Sequence, residues 1–222
     1  MTHAALHTTN FPLRKHYYSS CISLWRLMLF LPLMIALFLA GCATTRPRPH
    51  NVENICSIFN QYPDWYWQAK QTEAKWGVPV PVQMSIIYYE SAFTAKAKPP
   101  RKKILWIIPW KRPTSAVGYS QALNKTWLDY QNQTGNSDGK RHEFGDACDF
   151  IGWYSHQVNH TLRVPPNNAY GLYLAYHEGM GGYAKRSYIR KPWLIRVAHK
   201  VSARSNIYQR QLVSCEDSIP RE

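Results

Sequence analysis

Acid is scarce in this chain. Its 13 Asp and Glu stand against 27 Lys and Arg in 222 residues, a formal net charge of +14. Such a balance draws a protein to anionic partners: nucleic acid, lipid headgroups or acidic polymers. No apolar run approaches the roughly 20 residues of a membrane-spanning helix. No alternation of period two recurs and no internal repeat is visible, which excludes strand-built and solenoid architectures. Long heptads are missing too, because 15 Pro and 11 Gly interrupt them, and a coiled coil is thereby excluded. What the chain has is aromatic surface, 14% of residues with 9 Trp and 15 Tyr. Burying that much offsets the entropy of ordering, so disorder is excluded as well.

Residues 1–41 carry Arg14, Lys15 and Arg26 and no acid. From Leu27 to Ala40 runs an apolar stretch of 14 residues, the length of a secretory core segment of about 7–15. It ends in Leu39-Ala40-Gly41-Cys42, which resembles the bacterial lipoprotein signal, where the cysteine is acylated and becomes the first residue. The resemblance implies a signal peptide at 1–41 and a lipid on Cys42 that attaches the protein to a membrane. Ala43, in place of the Asp of inner-membrane lipoproteins, implies the outer membrane, facing the periplasm. An uncleaved anchor is the alternative, favoured by the long stretch before Arg26. Removing 1–41 takes away three bases and no acid, which leaves +11. Export puts nucleic acid out of reach, so no nucleic-acid partner is expected. Peptidoglycan, rich in peptide carboxylates, is then the natural polyanion.

Of five cysteines, Cys21 leaves with the signal and Cys42 takes lipid. An oxidising compartment permits disulfides. A bridge between Cys56 and Cys215 would close a long loop and pin both ends of the domain. Cys148 lies in a helical pattern and reads as a small buried hydrophobe. All three thiols remaining free is the alternative, since spacing does not set connectivity.

Residues 42–55, polar and Pro-rich, read as a tether, 56–215 as one helical domain and 216–222 as a tail. Pro63 and Gly77 bound a helix over 64–76. Pro81 opens a second, with Val82, Ile86, Tyr89 and Phe93 at spacings of four, three and four. Further helices are expected over 123–133, over 144–162, from an Asn168 cap to Tyr176, and from Pro192 through Leu212. The expected fold class is all-α. The segment 98–113 (KPPRKKILWIIPWKRP) is the exception: a short strand or irregular insertion, read either as a packing flap or as an apolar lip with a basic border that touches wall or membrane.

Glu90 ends an otherwise apolar helix, where desolvation disfavours its charged form and raises its pKa. A glycosidase asks that of the acid that protonates the bridging oxygen. Glu90-Ser91-Ala92-Phe93 is followed by Gly118-Tyr119-Ser120-Gln121 and then by Ala175-Tyr176-His177-Glu178-Gly179. In that order they resemble three motifs of the soluble lytic transglycosylase family: Glu-Ser-x-Phe, Gly-Leu-Met-Gln and Ala-Tyr-Asn-Ala-Gly. The resemblance covers about residues 62–212. It implies a lysozyme-like single domain, a monomer, that cuts peptidoglycan glycan strands between N-acetylmuramic acid and N-acetylglucosamine without a cofactor.

The same resemblance makes Glu90 the catalytic acid/base. It makes Ser91 a hydrogen-bonding support for the acid and the sugar site, and places Tyr119, Gln121, Tyr176 and His177 against the substrate. The family also has a late tyrosine that bonds the acid; Tyr183, Tyr188 and Tyr208 compete for it, and Tyr188 is the expected one. Tyr119-Ser120 and His177-Glu178 depart from the family's residues. Glu178 raises a rival in which a second carboxylate activates water and the enzyme is a hydrolase. A non-catalytic wall-binding lipoprotein on the same scaffold is a further alternative. His156 and His160 have the i, i+4 spacing of zinc ligands, but HQVNH lacks the glutamate of the metalloprotease motif. Two solvated histidines, and no metal, are expected. Of the tryptophans, Trp153 and Trp193 lie on apolar helix faces and read as core.

Overall fold

The computed structural model describes residues 46–100, 103–104, 108–109 and 114–221, with backbone alone for the two pairs. The signal-like segment 1–41, Cys42, and Leu105, Trp106 and Ile107 of the apolar insertion lie outside the described residues.

The elements are α1 (Ile55–Gln61), α2 (Pro63–Trp76), α3 (Val80–Ser91), β1 (Lys103–Ile104), β2 (Ile108–Pro109), α4 (Asn124–Thr134), α5 (Phe144–Leu162), α6 (Ala169–Ala184), a 3-10 turn (Ser187–Arg190), α7 (Pro192–Cys215) and a closing 3-10 turn (Glu216–Ser218). The architecture is all-α. β1 and β2 pair antiparallel, Lys103 with Pro109 and Ile104 with Ile108.

α3 organises the rest. Val80 through Ile87 are buried without a break, the pattern of a helix surrounded by protein on every side. It packs against α2, α5, α6 and α7. Pro81 occupies its first turn, where a missing N–H costs nothing. Beneath it, Trp65 stacks on Phe144 at 4.0 Å, and Tyr119 meets both rings edge-on. Asp149 of α5 accepts from Trp76 Nε1 at 2.7 Å, from the Tyr130 hydroxyl at 2.7 Å and from Lys75 Nζ at 3.0 Å, fastening α2, α4 and α5 together.

The packed domain is longer than 56–215. Residues 46–54, expected to be a tether, lie against it. Val52 is buried and its carbonyl accepts from the Tyr208 hydroxyl. Tyr62 donates to the Pro47 carbonyl at 2.9 Å, Arg46 pairs with Asp64, and Glu53 is held by Arg204 and by Tyr88 at 2.6 Å. At the other end Ile219 is buried, Trp67 Nε1 donates to the Pro220 carbonyl at 2.8 Å, and Tyr66 donates to Glu216 at 2.6 Å. Proline and charge made both segments read as linker, but tyrosine hydroxyls and arginines of the helices supply the partners. Cys56 and Cys215 are joined by a disulfide with Cα atoms 6.0 Å apart, and Cys148 is free and buried.

Candidate active site

Glu90 sits where α3 is brought to an abrupt end. Ala92 and Phe93 both adopt left-handed backbone, φ 48° and 60°, at a cost of roughly 1–2 kcal/mol each for residues other than glycine. The Ala92 N–H returns to the Tyr88 carbonyl at 2.9 Å and closes the helix. Complete burial of Phe93, worth about 1.5–3 kcal/mol, offsets much of the strain. The Glu-Ser-x-Phe segment is thus a helix end clamped by its own phenylalanine, with the acid in the last turn of the helix.

Glu90 is half-buried by residue surface, and its carboxyl is closely walled. Burial pushes its carboxyl up to about 7, and a hydrogen bond from Tyr173 opposes that in part. Tyr173 lies on α6, three residues before Tyr176 and on the same face. The Glu90 charge also raises the Tyr176 hydroxyl, after burial, so the two groups are close. An acid with a pKa near neutrality can hold a proton, give it up and take another at the same pH.

The second motif is a tight turn. Gly118 has φ 82°, and a Cβ there would lie 1.9 Å from the Arg141 carbonyl oxygen, so only glycine fits. Gln121, itself at φ 50°, donates from Nε2 to the Ala97 carbonyl at 3.0 Å and to the Gly118 carbonyl at 2.8 Å. Tyr176 donates to the Ser120 carbonyl at 2.6 Å, which ties this turn to α6. The third motif contains a break in α6: Gly179 has φ 74° and ψ 158°, a region essentially closed to other residues. The break frees the Met180 N–H, which donates to the Tyr154 hydroxyl.

Gln121, Tyr176, His177 and Glu178 line one cavity of about 220 Å³ with Leu123, Thr126, Phe150 and Tyr154. Two motifs far apart in sequence therefore share a cleft, and the Glu90 charge is felt at the Tyr176 hydroxyl on its wall. Three expected site residues are placed otherwise. Tyr119 is 2% exposed and packed edge-on against the stacked Trp65 and Phe144 rings, so its side chain is part of the core. Tyr188 stacks on Tyr183 at 5.4 Å; the tyrosine bonded to the acid is Tyr173. Ser91 donates to the Ile87 carbonyl of its own helix at 3.2 Å, a local bond that helps end α3. Trp153 is core, but Trp193, expected there too, is 49% exposed and stands edge-on to the His177 ring at 5.1 Å. His156 is exposed and tilts against Trp76.

Sequence reasoning missed Tyr173. Its signal was present: an i, i+3 partner of Tyr176 on a helix whose face is set by the third motif. Tyr173→Phe removes the bond that opposes the burial of Glu90. We expect the alkaline limb of the pH–rate profile to move up by about half to one unit, with KM little changed. An unmoved limb would separate Tyr173 from the acid.

Glu178 occupies a different electrostatic setting. Lys191 Nζ lies 2.6 Å from its Oε1, Ser187 donates to Oε2, and His177 Nδ1 is 3.2 Å from Oε1. These contacts, Lys191 first, hold its pKa down to about 2. Such a carboxylate is a poor base toward water, and both its oxygens are already engaged. It fastens the broken end of α6 to the 3-10 turn and to the start of α7.

Among the described residues, Glu90 is the one carboxylic acid raised to near neutrality, in an all-α domain with an aromatic cleft. The sequence model of the Transglycosylase SLT domain family matches residues 30–215, and the chain belongs to that family. The family's activity is lytic transglycosylation of peptidoglycan, in the cell envelope. No curated protein matches the chain. Among the described residues, no helix is long and apolar enough to cross a membrane.

Proposed function

We propose that this protein is a lytic transglycosylase that cleaves the N-acetylmuramic acid–N-acetylglucosamine bond with Glu90 as its single acid and base. The observation that carries the reading is the carboxyl of pKa about 7, hydrogen-bonded by Tyr173 and acting on Tyr176, a residue of the cleft whose own acid, Glu178, is tied by Lys191 and Ser187. In the first step Glu90 gives its proton to the bridging oxygen, and the bond from that oxygen to C1 of the muramic acid breaks. The sugar's own acetamido oxygen bonds to C1 and carries the developing positive charge. In the second step the Glu90 carboxylate takes the proton of the 6-hydroxyl. O6 then attacks C1 and displaces the acetamido oxygen. The products are a strand with a free 4-hydroxyl and a 1,6-anhydro end. Glu90 is returned protonated and no water is consumed, so one carboxylate performs what ordinary glycosidases divide between two.

Support for export and anchoring comes from the apolar run ending at Cys42. In this reading the enzyme is a monomer, lipid-anchored to the outer membrane and facing the periplasm. Acyl groups on an N-terminal Cys42 peptide, read by mass spectrometry, check it.

The product decides the chemistry. Peptidoglycan digested by the full chain in isotopically labelled water is expected to release 1,6-anhydro fragments without label. Labelled reducing ends would overturn the reading in favour of a hydrolase, and binding without release would make the protein a wall-binding module. Glu178→Gln should leave the product unchanged while costing about 1–3 kcal/mol of stability. Because its folded pKa lies below the ordinary value, that contribution is present above about pH 4.5 and fades as pH falls toward 2.

A further inference from the structure

A second cavity, of about 540 Å³, lies behind the turn that carries Gln121. Lys96, Lys98, Lys140, Arg141 and His142 line it over a floor that includes Ala95, Val117 and Trp127. Resting on the transglycosylase reading, we propose that this cavity receives the carboxylates of the peptide carried by the glycan strand, and so selects peptide-bearing strands.

Two carboxylates approach its rim, Asp146 accepting from the Lys140 backbone N–H at 2.8 Å and Glu143 beside His142, but neither takes a lysine ammonium among the described residues. Among the described residues, no acidic side chain pairs with Lys96, Lys98 or Lys140, and all three are exposed. Residues 1–45 and 101–113 contain no Asp or Glu. Arg141 differs in kind: it donates to the Ser115 and Ala122 carbonyls at 3.2 and 2.9 Å and serves as a structural cation. His142 lies 3.7 Å from Glu143. Three free ammonium groups over an apolar floor suit a ligand with several carboxylates and small side chains, and the volume is that of a typical ligand pocket.

The connection to the cleft is short. The Gly118–Ala122 turn is bound from both sides: Gly118 N–H and Gln121 Nε2 donate to the Ala97 carbonyl, each at 3.0 Å, and Tyr119 N–H donates to the Arg141 carbonyl at 3.1 Å. Ala97 lies between Lys96 and Lys98. On α4, Thr126 faces the cleft and the adjacent Trp127 faces the basic cavity. A strand crossing the cleft therefore presents substituents to a cationic wall one turn away. A flat lipid surface does not enter a concavity of this kind, and the shared wall favours the strand's own substituent.

The test compares peptide-bearing glycan strands with strands stripped by an amidase, using the full chain and its Lys96→Gln/Lys98→Gln/Lys140→Gln variant. For the variant, KM on peptide-bearing strands should rise about 10-fold, from three exposed charges of about 0.5 kcal/mol each. On stripped strands KM and kcat should stay as in the wild type. About 0.5 M salt should remove the difference. Equal loss on both substrates, or no loss on either, overturns the proposal. So does loss of binding to anionic phospholipid vesicles with strand kinetics unchanged, which would assign the cavity to headgroup phosphate. Binding of soluble peptide-bearing fragments to Glu90→Gln protein, with and without the three lysine changes, reads the cavity without turnover. Charge-dependent binding with no anhydro product from wild type would sink the transglycosylase reading and leave the cavity standing.

Discussion

Glu90→Gln is expected to lower peptidoglycan cleavage by at least about 10³-fold, within the range set by loss of a general acid, while leaving strand binding intact. The amide fills the same space and can keep a hydrogen bond with Tyr173, but it can neither protonate the bridging oxygen nor take the proton of the 6-hydroxyl. Both steps fail together. The same change should stabilise the fold, which a merely structural residue would not do. A carboxyl raised to about 7 titrates in the unfolded chain near its ordinary value. Between about pH 4.5 and 7 the unfolded state loses the proton first, so native stability falls as pH rises through that window. Glutamine has no such loss. At pH 8 the variant should be more stable by about 3 kcal/mol, and at pH 4 by almost nothing. Thermal melts at the two pH values and a turnover assay check both halves. Residual activity within tenfold of wild type would remove Glu90 from the chemistry, and equal melting shifts at both pH values would remove the buried charge.

Reduction, or replacement of Cys56 and Cys215 by serine, should cost about 3–5 kcal/mol of unfolding free energy. The bridge spans 159 residues of sequence, and closing a loop that long limits the unfolded ensemble by about 5 kcal/mol in the chain-entropy description. It also joins α1 to the last residue of α7, on either side of which the ends of the domain are held by side-chain bonds to Val52, Glu53 and Pro220. Denaturant titrations with and without reductant measure the difference. Coincident midpoints would mean that the thiols are not bridged, or that the helix packing alone holds the ends. Cys148 is completely buried and offers no exchange partner to the pair.

The helices were legible because their punctuation is strong. Pro63, Pro81 and Pro192 open three of them, Gly77 and Gly135 close two, and Asn168 caps α6 through the Gly171 N–H. α1 was missed: seven residues are too few for a period to show. α6 was expected to stop before Gly179 and instead resumes beyond it, since a glycine break leaves the next turn free to form. Within the site, the raised pKa of Glu90 followed from apolar neighbours on its own helix, which are local in sequence. The tyrosine that bonds it was not local. Tyr173, Tyr183, Tyr188 and Tyr208 are chemically equivalent in one dimension, and helix packing chose among them.

What the sequence by itself determined is the helical class, the order of the three motifs and the candidate for the acid, because periodicity, capping and an apolar context act within a few residues. Only the tertiary structure decided the rest. Tyr119 became core because Trp65 and Phe144 close over it, and Trp193 became surface because its helix face runs out beyond the core. Glu178 became a structural anion because Lys191 and Ser187 arrive from later in the chain. Residues 46–54 became part of the domain because Tyr62, Tyr208 and Arg204 reach their carbonyls and their one acid. Burial and charge pairing depend on distances across the fold, and those distances exist only once the helices have packed.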